Sequence, residues 1–233
     1  MTRKILAWCV HLYTGMGLVC AAAIALCIFR GTPEDIRQAF LWMLLATLID
    51  ATDGTLARAA DVKHVLPGFD GRRLDDLIDF QTYTTLPLLL IWRTAVLPPG
   101  YEAWLLLALL ASGYGFSQAE AKTEDGFFLG FPSYWNIVAF YLYMLGLPPF
   151  LALGIVVVCA VLTFVPTKYL YPSIGGPLSK VTIGLGAVWT VIVLIILSGK
   201  APNSGELVWI SLFYPMYYMG ASWLISLRGA RTG

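Results

Sequence analysis

Charge is what this sequence has least of. Asp, Glu, Lys and Arg together make up 12% of its 233 residues, about half the ~25% of an ordinary soluble domain. That is too little to clothe a water-facing surface. The two signs nearly cancel, leaving a formal net charge of +1, so there is no broad field to attract nucleic acid. A basic arm and zinc-finger spacing are also missing. Four cysteines, Cys9, Cys20, Cys27 and Cys159, lie inside apolar segments with no CxxC pairing, which argues against a thiolate metal site. No Ser–His or Cys–His arrangement suggests a covalent enzyme intermediate. Internal repeats and low-complexity linkers are absent as well, so residues 1–233 read as one domain.

Apolar residues are what the chain does have. They account for 58% of it, and the mean hydropathy is +0.74. A bilayer-spanning helix needs about 20 apolar residues. Eight candidate spans emerge, at 5–29, 35–60, 72–97, 100–121, 133–147, 149–166, 177–198 and 204–227. The expected fold is therefore an all-α polytopic membrane protein with about eight transmembrane helices. The first run resembles a signal peptide, but it continues to Phe29 without a clear small-residue cleavage site and reads as a first span. Leu147-Pro148-Pro149 separates the fifth and sixth spans, which read either as a kinked pair or as a re-entrant hairpin. Arg58, Lys63, Arg72, Arg73, Lys122, Lys168, Lys180, Arg228 and Arg231 fall on one side of an eight-span arrangement. The basic bias of cytoplasmic loops predicts that both termini and the loop near residue 65 face the cytoplasm.

The acids are distributed unevenly. Seven of the fourteen Asp and Glu residues lie between 50 and 79. An intramembrane carboxylate costs several kcal/mol unless it is paired or bound, and so marks a functional candidate. Residues three and four apart share one helix face. Asp50 and Asp53 share such a face near the end of the second span. Gly71, Asp75 and Asp79 share another at the start of the third, with Tyr83 continuing it. A short connection makes the two helices antiparallel neighbours, so four carboxylates converge at one membrane rim. Lys and Arg on those faces are too few to neutralise them, whereas divalent cations suit an all-oxygen donor set. Gly54 and Ala57 offer a groove of small side chains, and Arg58 a bidentate phosphate donor. Metal ligands, a phosphate clamp and a groove together point to a nucleotide diphosphate.

The run Asp50-Ala-Thr-Asp53-Gly54-Thr-Leu-Ala57-Arg58, followed by Gly71-Arg-Arg-Leu-Asp75-Asp-Leu-Ile-Asp79, resembles the signature of the CDP-alcohol phosphotransferase family, DxxDGxxAR then GxxxDxxxD. Every fixed position is present. The spacer at 59–70 has twelve residues, longer than the family's common one. That longer spacer and the eight spans, with the 131–136 and 164–169 stretches, resemble the bacterial branch whose acceptor is choline.

The resemblance implies a bundle of that family's type. Asp50, Asp53, Asp75 and Asp79 would hold two divalent ions, Mn²⁺ or Mg²⁺. Asp53, Gly54, Ala57, Arg58 and Gly71 would bind the CDP portion, and Asp79 would serve as general base. The substrates implied are CDP-diacylglycerol and choline, with CMP released, at the cytoplasmic side of a bacterial inner membrane; a homodimer is also implied. For the choline pocket the aromatic and acidic candidates are Tyr83, Glu120, Tyr134 and Trp135, because quaternary ammonium groups favour aromatic faces. The alternatives are the same chemistry on serine, glycerol phosphate or inositol phosphate, and a membrane transporter whose carboxylates line an ion path.

Overall fold

The computed structural model describes residues 1–118, 123, 126–171, 178–200 and 203–232, the last five of these as backbone only. Two long helices open the chain, α1 (Thr2–Arg30) and α2 (Pro33–Ala59). Their tight connection follows from three adjacent residues. Gly31 adopts the left-handed conformation (φ 70°) that ends α1. Thr32 then caps α2 by accepting the Asp35 N–H, and Pro33 sits in the first turn, where no donor is needed. The two helices therefore return antiparallel along their length.

A short helix, α3 (Val62–Val65), leads to α4 (Gly71–Asp79), which Asp70 caps by accepting the Arg73 N–H at 3.1 Å. From Asp79 the helix passes without a break through a π turn, Phe80–Thr85, into α5 (Leu86–Arg93). Pro87 explains the wide turn. Its ring would clash in a regular helix interior, and the π turn absorbs the mismatch. Next come α6 (Leu105–Ser117), α7 (Trp135–Leu145), α8 (Pro149–Leu162), α9 (Ser179–Leu197), α10 (Ser204–Ser211) and α11 (Phe213–Thr232).

Helices thus occupy each of the eight apolar stretches read from the sequence. Length and composition make three of them clear membrane-spanning candidates, Thr2–Arg30, Pro33–Ala59 and Ser179–Leu197. Large apolar side chains such as Leu12, Leu26, Val188, Val191 and Ile195 are exposed on the outside, as expected for a protein solvated by lipid. The fifth and sixth stretches form two separate helices, α7 and α8, which meet at a left-handed turn on Gly146.

One element departs from the all-helical expectation. The strands β1 (Phe127–Leu129) and β2 (Lys168–Leu170) pair antiparallel, with Phe127 opposite Leu170. Helix α11 supplies partners to the backbone of β2. Ser222 and Ser226, one turn apart, accept the N–H groups of Leu170 and Lys168 at 3.1 and 3.2 Å. The Tyr218 hydroxyl donates to the Leu170 carbonyl at 2.8 Å. The backbone polar groups of a buried two-stranded ribbon are thereby satisfied. Gly130 closes the ribbon at φ +78°, and a Cβ there would lie 2.3 Å from the Thr163 carbonyl oxygen; only glycine fits.

Candidate metal centre

The carboxylate layer is built by three helices. Asp50 and Asp53 stand one turn apart on α2, and Asp75 and Asp79 one turn apart on α4. Helix α1 completes the layer because Gly17 lets α4 approach closely; a Cβ at Gly17 would sit 2.6 Å from Ile78 Cγ2. Carboxylate oxygens of Asp50, Asp75 and Asp79 lie within 4.8 Å of one another. Oxygens that share one ion at 2.0–2.6 Å can stand at most about 4–5 Å apart, so this set fits a hard divalent cation. Asp53 is 6% exposed and accepts a hydrogen bond from Thr14 Oγ1 at 2.8 Å. It lines the same cleft as the other three, together with Thr14, Ala46 and Ile49. The four aspartates singled out in the sequence are thus gathered at one cleft, three of them within mutual ligand range.

The π turn adds a further group. It delivers Tyr83, whose hydroxyl donates to Asp50 Oδ2 at 2.7 Å. Tyr83 is 7% exposed, so this bond is shielded and charge-assisted. Thr14 and Tyr83 therefore orient Asp53 and Asp50. Thr14 escaped the sequence reading, although a threonine within an apolar span was an available signal.

A phosphatidylcholine synthase of Pseudomonas aeruginosa is 38% identical to this chain over 190 residues, covering 81% of this chain and 79% of that one. The chain belongs to the phosphatidylcholine synthase family. A phosphatidylcholine synthase of Borreliella burgdorferi is 31% identical over 82% of this chain and 81% of its own. One from Rhizobium johnstonii is 29% identical over 92% and 89% respectively. No family model matches the chain.

The small residues beside the aspartates are in contact with the protein itself. Ala57 packs against the cluster of Ala7, Val10 and Val62, which brings α1 and α3 onto α2. At Gly71 a Cβ would lie 2.6 Å from His11 Cε1. The bare Cβ side of Gly71 thus takes the His11 imidazole, which also packs on Phe69 with ring centroids 4.4 Å apart. Small residues serve close helix packing as readily as ligand approach, and the sequence does not separate the two. Arg58 is exposed, donates to Thr55 Oγ1 at 3.0 Å, and folds back over Gly54, with Nη1 3.4 Å from where a Cβ would be.

The four acceptor-pocket candidates fare differently. Tyr134 is half-buried within a row of rings: its centroid is 6.0 Å from Tyr83, 5.8 Å from Tyr218 and 6.5 Å from Phe128. Tyr218 is a member of this row that the sequence reading missed. Trp135 is 0% exposed and is a packing anchor instead: its indole N–H donates to Ser112 Oγ at 2.7 Å, and its ring abuts Phe131 edge-on. It presents no surface to a solute, because α7 turns its first residue inward. Glu120 lies outside the described residues.

Proposed function

We propose that this chain transfers the phosphatidyl group of CDP-diacylglycerol to choline and releases CMP. The observation that carries the reading is the meeting of Asp50, Asp75 and Asp79 within 4.8 Å in a chain of this family. In the proposal Asp50, Asp53, Asp75 and Asp79 hold two divalent ions, Mg²⁺ or Mn²⁺. When bound, such ions neutralise charge on the diphosphate and on the departing nucleotide. Every other step belongs to the protein's own groups. Arg58, which today leans over Gly54, swings to the CDP phosphate as a bidentate donor. Gly54 and Asp53 flank the nucleotide, with Ala57 and Gly71 behind them keeping the helices close enough to form the groove. Thr14 and Tyr83 hold the carboxylates of Asp53 and Asp50 in fixed rotamers, so little reorganisation accompanies binding.

Asp79 is the general base. Its carboxylate accepts the proton of the choline hydroxyl as that oxygen attacks the lipid-side phosphorus. The new O–P bond forms while the bond from phosphorus to the bridging oxygen breaks. CMP departs with that electron pair, and no covalent enzyme intermediate is needed. The row Tyr83, Tyr134 and Tyr218 beside Asp50 supplies ring surface for the trimethylammonium group. In this reading the chain crosses a bacterial inner membrane eight times, and the aspartate cleft opens to the cytoplasm.

The test is direct. Purified protein in detergent receives CDP-diacylglycerol, Mn²⁺ and radiolabelled choline, with labelled serine in parallel. Choline label entering lipid, abolished by a chelator, is the expected result. Lipid labelled only from serine would refute the acceptor. Label in neither, with Mg²⁺ substituted as well, would refute the reaction as written.

A further inference from the structure

Helix α4 has two working faces. Asp75 and Asp79 point into the metal cleft. Arg73, Asp76, Leu77 and Phe80 recur at the helical spacing of i, i+3, i+4 and i+7 and so share the opposite face. There they line an open-sided cavity of about 310 Å³, closed on its far wall by Gly113 and Phe116 of α6. That volume is at the scale of small-molecule sites.

The cavity is graded. Arg73 and Asp76 stand nearer the start of α4, and Leu77 and Phe80 further along it. Leu77 is 59% exposed, so the apolar end is open on one side. Phe80 and Phe116 meet edge to face with centroids 5.4 Å apart. Among the described residues no salt bridge joins Arg73 to Asp76, although a turn of helix sets them side by side. A cation, an anion, an aromatic pair and an apolar exit in one cavity match one chemistry. Arg73 suits a phosphodiester, Asp76 beside it a quaternary ammonium, and the ring pair with the open end a diacylglycerol body. From this we infer that the cavity binds the phosphocholine headgroup of a membrane phospholipid. Its identity as the enzyme's own product rests on the function proposed above. The site lies back to back with the metal cleft across a single helix, so the product has a resting place outside the chemistry.

Gly113 gives a clean handle. No heavy atom lies within 4 Å of a Cβ built there, so Gly113→Leu fills the cavity without an initial clash. The experiment is native mass spectrometry of the full chain, purified from mixed micelles with equal phosphatidylcholine and phosphatidylglycerol. The expected result is preferential retention of phosphatidylcholine. Gly113→Leu and Arg73→Gln should each reduce it about tenfold, the size of one lost charge-assisted contact. Asp79→Asn should retain it fully. Arg73 is exposed, so its variant remains informative if Gly113→Leu fails to fold. Undiminished retention in Arg73→Gln, equal retention of phosphatidylglycerol, or loss of retention in Asp79→Asn would each overturn the site. Retention needs no turnover. A chain that bound the lipid but made none from choline would therefore sink the reaction and leave the site.

Discussion

Replacing Tyr83 by Phe removes one oxygen and tests how the metal layer is held. The Tyr83 hydroxyl donates to Asp50 Oδ2 at 2.7 Å, and the residue is 7% exposed. Hydrogen bonds to charged groups contribute about 1.5–3 kcal/mol net, or roughly 10–100-fold in an equilibrium constant. That matches the 10–100-fold loss of metal affinity typical when a group behind a ligand is removed. Phe keeps the ring and its packing on Tyr134, so the row of rings survives. Losing a donor also leaves an Asp50 oxygen available to the cation, but a carboxylate free to rotate must be ordered anew by each ion. The loss of orientation should win. Titrating Mn²⁺ and Mg²⁺ against choline incorporation should show the half-maximal metal concentration rising about tenfold or more, with a smaller change in the choline KM. An unchanged metal midpoint beside a raised choline KM would refute the reasoning and return Tyr83 to the acceptor pocket alone.

Asp79→Asn should keep the fold and lower kcat by about 10²–10⁴-fold, the usual contribution of a general base; near-normal turnover would exclude that role. Arg58→Ala should raise the KM for CDP-diacylglycerol about tenfold or more while the choline KM moves little, and comparable losses in both would remove Arg58 from the phosphate. Thr14→Val strips the donor from buried Asp53 and should cost about 1–3 kcal/mol, seen as a lower thermal midpoint in detergent that added Mn²⁺ only partly restores. Ser222→Ala orphans the Leu170 N–H, and a drop of the same order in stability is expected; an unshifted midpoint would mean that water reaches the strand.

What is local or compositional was legible in the chain alone. Apolar runs of sufficient length located the helices, because burial in lipid requires them. Asp50 with Asp53, and Asp75 with Asp79, were legible as paired faces because helical spacing is a property of the chain alone. A short connection was enough to bring the two faces together. Contacts between distant segments were settled only by the tertiary structure. Thr14 reaches Asp53 across 39 residues, and Tyr83 reaches Asp50 across 33. Neither pairing has a spacing signature, since both depend on how α1 and the π turn seat against α2. The same holds for Gly71, against whose Cβ side His11 packs, and for Trp135, whose aromatic character suggested a pocket wall while the fold enclosed it completely. Pairing of β1 with β2 was equally illegible, because three-residue strands carry too short a pattern to stand out from loop. A residue's chemistry and its spacing are written in the chain; which neighbour uses that chemistry is decided when helices distant in sequence pack.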